Sequence, residues 1–165
     1  MTIEPEGDGP AFALVVATDS DLCDLVWAAQ AEAGARRAIR VVRGAKAETW
    51  PALFDEFAAA LQFPYYFGEN GAAFDECLAD LEWLPAAEHV VVVSHAARVL
   101  AGEPAGGLET WLGGMGRVAA ERADRGGPAL RVVLHATPAD APVLRSKLAA
   151  RGIAVDEGDP GRLIL

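Results

Sequence analysis

Phe63-Pro-Tyr-Tyr-Phe-Gly-Glu-Asn-Gly-Ala-Ala-Phe-Asp-Glu-Cys-Leu-Ala-Asp-Leu-Glu-Trp83 decides how this chain is read. Pro64 ends the helical pattern before it, because the residue preceding a proline is pushed out of the helical region. Tyr65 to Gly68 reads as a loop, and Asn70 can cap a new helix with its side-chain oxygen. In that helix Phe74, Cys77, Leu78 and Leu81 recur at i, i+3, i+4 and i+7, which makes an apolar stripe. Ala72, Ala73, Glu76 and Asp80 fall on the opposite face, and Pro85 closes the segment. Aromatics and a tight Gly turn therefore lead into a helix with carboxylates on one side.

The charge pattern around this stretch is one-sided. The 51 residues from Ala47 to Ala97 contain no Lys or Arg and nine acids: Glu48, Asp55, Glu56, Glu69, Asp75, Glu76, Asp80, Glu82 and Glu88. Glu76 and Asp80, one turn apart, repel by a few tenths of a kcal/mol. A solvated helix face is the commoner origin of an acidic patch. An aromatic surface beside focused negative charge, however, suits capture of a basic protein: rings supply contact area and the field steers the encounter.

Outward from there, strands and helices alternate. Ala38 to Val42 is a strand. Thr49 caps a helix over 49–61 whose apolar face is Leu53, Phe54, Phe57, Ala58 and Leu61. Val90 to Ser94 is a β-branched strand. Leu108 to Ala123 is a helix that Gly113, Gly114 and Gly116 weaken, which predicts a kink with close backbone packing. Leu130 to Leu134 is a strand. Upstream, residues 1–10 read as a frayed tail, Phe12 to Ala17 as a buried strand, and Leu22, Leu25, Val26 and Ala29 as a helix face stopped by Gly34. Downstream, 139–149 reads as a helix, with Gly152–Val155 and Arg162–Leu165 as the arms of a hairpin. The alternation predicts α/β layers around a parallel sheet.

Composition narrows the function. A 165-residue chain of net charge −10 fits one domain and does not suit nucleic acid or an anionic membrane, both of which need Lys and Arg at phosphate. Cys23 and Cys77 make neither a disulfide framework nor a zinc spacing. The acidic start is no signal peptide, and no apolar run approaches a membrane span, so a reducing cytoplasm is the expected compartment. Rival chemistries find little. Glu69 and Glu76 could share a helix face as a carboxylate pair, but no cleft accompanies them. Ser94-His95 is not a nucleophile elbow. His89, His95 and His135 match no metal-ligand spacing. Gly113 to Gly116 is followed by Arg117 and Val118 rather than Lys and Ser/Thr, so it is no phosphate loop. Cys77 falls among apolar positions as a small hydrophobe. Trp50 and Trp111 read as core; Trp83 ends the acidic helix on the presumed interface side. No catalytic residue, metal or cofactor is expected.

The order strand 38–42, helix 49–61, Pro-Tyr-Tyr-Phe-Gly-Glu-Asn loop, acidic helix with Cys77-Leu78, strand 90–94, helix 108–123, strand 130–134 resembles the barstar family, small intracellular inhibitors of secreted basic ribonucleases. The local similarity runs from Pro64 to Leu78. The similarity in topology covers 38–136, with 1–37 and 137–165 as extensions on one compact unit. The resemblance implies a layered α/β fold, a small parallel sheet packed against helices and extended at both termini. It implies an inhibitory surface built from the loop and the acidic helix, with one helix acid entering the nuclease active site in place of substrate phosphate.

Glu76 stands where that acid belongs. Tyr66 and Phe67 match the contact aromatics, and Gly68 and Asn70 the turn and helix cap. Gly71, Ala72, Asp75, Asp80 and Trp83 complete the implied partner surface. Three positions depart from the family pattern: Glu76 replaces the usual Asp, and Gly71-Ala72 replaces a bulky residue followed by a second interface Asp. A late contact acid would fall near Glu121 or Arg122. The implied partner is a basic ribonuclease or nuclease toxin, bound as in toxin–antitoxin immunity, with no direct contact to nucleic acid or membrane. Two other readings stand beside this one: a small α/β enzyme or ligand module using the carboxylates, and a non-inhibitory relative.

Overall fold

The computed structural model describes residues 11–164. In chain order its elements are β1 (Phe12–Val16), α1 (Asp19–Ala33), β2 (Arg37–Arg43), α2 (Trp50–Leu61), α3 (Gly71–Asp80), β3 (Glu88–Ser94), α4 (Gly107–Asp124), β4 (Ala129–Ala136), α5 (Ala141–Ala150), β5 (Val155–Asp156) and α6 (Pro160–Ile164), with short 3-10 turns at Gly44–Lys46 and Ala96–Arg98. The strands form one five-stranded sheet in the order β2-β3-β4-β1-β5. Every neighbouring pair is parallel. The α/β expectation therefore holds.

An all-parallel sheet must be covered on both faces, and the strands show it. Successive side chains point to opposite faces. Val91, Val93, Val132 and Leu134 join a large core with residues of α2, α3, α4 and α5. Val90, Val92, Val133 and Ile39 join a smaller one with Leu22, Val26 and Ala29 of α1 and with Leu163 and Ile164 of α6. Thr49 caps α2 as expected, accepting from Ala52 N, while the cap of α1 is Thr18, accepting from Asp21 N, rather than Asp19, Ser20 or Asp21.

Two expectations change. The C-terminal hairpin does not form. Val155 and Asp156 pair in parallel with Phe12 and Ala13, at the free edge of β1. The second arm is helical: Pro160 sits at its first position, where its missing N–H is no loss, and the Asp159 carboxylate accepts from Arg162 N at 3.1 Å. Burial of Leu163 and Ile164 against α1 and β1 outweighs the local turn chemistry. Leu165 and the proposed tail at 1–10 lie outside the described residues. The glycines of α4 do not break it; the helix runs unbroken from Gly107 to Asp124. Nor do they serve the expected close packing: a Cβ at Gly116 would make an ordinary contact with the Phe12 ring at 3.6 Å, and one at Gly114 with the Asp75 carboxylate at 3.8 Å. Among the described residues no helix is long and apolar enough to cross a membrane.

Because α6 seals the smaller core, Leu163→Ala should destabilise the fold by about 2–4 kcal/mol, the range for emptying a buried Leu site. Urea denaturation checks it; a change below about 0.5 kcal/mol would place Leu163 on a mobile tail instead.

Candidate protein-binding site

The loop before α3 is held from beneath. Phe63 is buried, and Phe67 packs edge-on against both Phe63 and Phe54, with ring centroids 5.1 and 5.9 Å away. Phe67 is thus a half-buried prop rather than an outward contact. The exposed aromatics are Tyr65 and Tyr66, edge to face at 5.6 Å, Tyr65 fully exposed and Tyr66 74% exposed. Tyr65 was not singled out by the sequence; the alternation of inward and outward rings in an irregular loop has no period to read. Trp83 is also partly buried. Its indole N–H donates to Leu61 O at 2.8 Å, and its ring packs on Phe63, so it ties the end of α2 to the loop after α3.

The turn into α3 depends on Asn70. Its Oδ1 accepts from Ala73 N at 2.9 Å and its Nδ2 donates to Gly68 O at 3.1 Å. The left-handed residue of the turn is Glu69, at φ 50°, not Gly68. Gly68 serves proximity instead: a Cβ there would come within 3.2 Å of the Asn70 amide.

From this turn α3 runs alongside α4. The seam between them opens into a groove of about 470 Å³ lined by Asp75, Glu76, Asp80, Glu82, Glu121 and Arg125. Five carboxylates face one guanidinium, and Arg125 is already bridged to Glu121. Asp75 has only a long contact to Arg117, at 3.9 Å. Glu76, Asp80 and Glu82 have no ion-pair partner among the described residues. Burial pushes the Asp75 carboxyl above the usual carboxylate range; Arg117 opposes that shift and Glu121 adds to it. The structure thus brings Asp75, Glu76 and Asp80 together and adds Glu82 and Glu121. It sets Gly71 and Ala72, both exposed, at the opening of α3.

Arg122, the neighbour of Glu121, turns the other way. It is 3% exposed and donates to Leu78 O at 2.8 Å, Ala79 O at 3.3 Å and Pro128 O at 2.9 Å. Its remaining N–H groups reach His89 Nδ1 at 2.7 Å. Since a guanidinium can only donate, His89 Nδ1 accepts and its Nε2–H donates to Leu84 O at 2.6 Å. The ring is therefore neutral. Burial pushes its pKa down; the Leu84 carbonyl opposes the shift, and Arg122 and Arg40 reinforce it. Leu78 and Ala79 lie in the last turn of α3, whose carbonyls have no helical partner. A buried cation there satisfies them and complements the helix dipole.

His95 and His135 meet elsewhere. With Asp19 they form the one group of potential metal ligands among the described residues, their ligand atoms within 4.8 Å of one another. His135 has no lone pair to spare: Nδ1 accepts from His95 N at 3.1 Å and Nε2–H donates to Ala17 O at 2.9 Å. His95 Nε2 lies 2.7 Å from the Asp19 carboxylate rather than activating Ser94. The cluster ties the ends of β1, β3 and β4. Cys77 is half-buried against the large core, and burial, then Asp80 and Glu76, raise its thiol pKa, which makes it a poor nucleophile.

Fold and site together define an acidic α/β domain with an aromatic loop and a groove lined mainly by carboxylates. The model of the Barstar family, described as barstar (barnase inhibitor), matches residues 37–135, more than half of the chain, and the chain belongs to that family. No curated relative matches.

The depressed His89 pKa has a signed consequence. The unfolded ring takes up a proton near pH 6.5, while the folded ring resists until lower pH. Its contribution to stability is therefore present above about pH 6.5 and is lost as pH falls toward the folded pKa. His135, also pushed down by burial, acts in the same direction. Urea midpoints should fall between pH 7 and pH 5, and the fall should shrink in His89→Gln, whose side chain does not titrate. An unchanged slope in that variant would remove His89 from the account.

Proposed function

We propose that this chain inhibits a basic ribonuclease or nuclease toxin by filling its phosphate-binding cleft with the acidic face of α3. The observation that carries the reading is the α3–α4 groove: Glu76 and Asp80 of α3 and Glu82 just beyond it have no ion-pair partner among the described residues, on the helix to which the resemblance assigns the inhibitory surface. Keeping like charges together weakens an isolated protein. A partner's arginines, lysines or histidines reverse the sign on docking. Glu76 is the central anchor. Asp75, Asp80 and Glu121 flank it, Glu121 taking the place of the late contact acid, and Tyr65 and Tyr66 supply rigid contact area at one end. Gly68 and Asn70 shape the turn, Gly71 and Ala72 leave the opening of α3 bare, and Phe67 and Trp83 hold the loop from behind.

The same reading treats 38–136 as the inhibitory unit, with 1–37 and 137–165 as additions that complete the sheet, and it implies the cytoplasm as the place of action. Catalysis is not part of it: His89, His135 and Arg122 are engaged with backbone, and the His95 ring with the Asp19 carboxylate.

Inhibition by occlusion is stoichiometric, so ribonuclease activity should fall linearly with added chain and reach its floor at a fixed molar ratio. Glu76→Ala should weaken binding by about 2–5 kcal/mol and leave stability within roughly 0.5 kcal/mol. Asp55→Ala, on the exposed side of α2, is the control and should do neither. Wild-type inhibition by Glu76→Ala would sink the assignment of the anchor.

The uncompensated field should also speed association. The stopped-flow association rate should drop several-fold between low salt and about 0.15 M, where screening acts over about 8 Å. A flat salt response would remove steering.

A further inference from the structure

The sheet ends in β5 on one side and in β2 on the other. β5 is two residues long, whereas β2 presents seven. In a parallel ladder, alternate residues of β2 turn their N–H and C=O toward β3, and the residues between turn theirs outward. Ile39 and Arg43 belong to the outward set, because side chains from beyond the strand reach them. Gln30 Nε2 of α1 donates to Ile39 O at 3.1 Å, joined by Arg40 Nη1 at 3.2 Å. The Glu56 carboxylate of α2 accepts from Arg43 N at 3.3 Å and holds the Arg43 guanidinium at 3.0 and 2.6 Å. Val41, between them, is the outward residue whose N–H and C=O no side chain reaches among the described residues.

The edge is apolar where it is open. Val41 is 37% and Trp27 67% exposed. Trp27 lies one turn before Gln30 on α1, on the side of the helix that reaches β2. An open strand edge with apolar flanks is a template for another strand. The strand that fits it is β2 of a second copy. Two such edges, antiparallel about Val41, exchange N–H and C=O and cover Val41 and Trp27 of both chains. The contact is isologous and closes at a dimer, since β5 is too short to carry the sheet further.

We propose that Gln30 and Glu56 are guards of the β2 edge, which keep a second copy from adding its own β2. One comes from the helix layer on each face of the sheet. By occupying the backbone groups on both sides of Val41, they leave a single residue free, too little to start a ladder. Arg40 and Arg43 reinforce them, because paired edges would bring these cations of both copies together. The inference is independent of the inhibitory reading, and no residue of the α3–α4 groove takes part in it.

Sedimentation velocity of the full chain tests it. Wild type should run as a monomer up to the millimolar range. Gln30→Ala combined with Glu56→Ala should shift it, with rising concentration, to a species of twice the mass. Glu48→Ala, which breaks the Arg98–Glu48 pair, should not. A loosened fold would also associate, so a third change is added to the double variant. Val41→Pro removes the free donor, and Val41→Lys sets like charges against each other. Either should restore the monomer, whereas association of a loosened fold would persist. A double variant that stays monomeric, association that survives both changes at Val41, or a wild-type dimer that Val41→Lys dissociates would each overturn the proposal.

Discussion

Arg122 is the residue on which the placement of α3 depends. One buried guanidinium collects two carbonyls from the last turn of α3, a third from Pro128 ahead of β4, and the lone pair of His89 at the start of β3. A buried charge is tolerated only when its donors are used, and here they are used on backbone rather than on an acid. That choice matters for the surface. Had a carboxylate of α3 neutralised Arg122, the helix would have lost one of the charges that define its outer face. Binding the helix by its dipole end leaves Glu76 and Asp80 without an ion-pair partner among the described residues and still fixes the spacing of α3 and α4 on which the groove relies.

The same economy of cations runs through the chain. Arg43 pairs with Glu56, Arg98 with Glu48, Arg145 with Glu157, Arg37 with Glu88 and Arg162 with Asp156. All lie away from the groove. Exposed pairs of this kind contribute little stability, commonly under 1 kcal/mol. At the groove itself Arg117 and Arg125 face Asp75 and Glu121, while Glu76 and Asp80 of α3 and Glu82 just beyond it have no ion-pair partner among the described residues.

Much of this was legible in the sequence, for reasons that differ by element. Strands of consecutive β-branched residues, such as Val90–Val93, and helices with threefold and fourfold apolar spacing, such as Leu53 to Leu61, carry their own period. The Asn70 cap and the acidic face of α3 are local and were readable. What was not readable depends on distant partners. The C-terminal segment carries turn residues, Asp156 to Gly161, that suit a hairpin; the free edge of β1 and the apolar face of α1 decide otherwise, and neither is a neighbour in sequence. Phe67 and Tyr65 differ in burial only because Phe54 and Phe63 lie on one side of the loop. Arg122 looked like one more charge on a helix, since the carbonyls it binds lie more than 40 residues away.

The segments beyond residues 37–135 have a structural explanation of their own. Without β1, one side of β4 would be an open edge, the kind of unpaired ladder that recruits other strands. Phe12 to Val16 pairs along it in register with Val132 to Ala136. Without α1 and α6, the face of the sheet bearing Ile39, Val90, Val92 and Val133 would be bare. β1 closes the edge of β4, and α1 and α6 cover that face, while α5 joins the large core on the other side. The α3–α4 seam lies over the opposite face, on the large core. The additions therefore close the free edge of β4 and the bare face of the sheet, and α5 extends the large core, while the groove between α3 and α4 stays open.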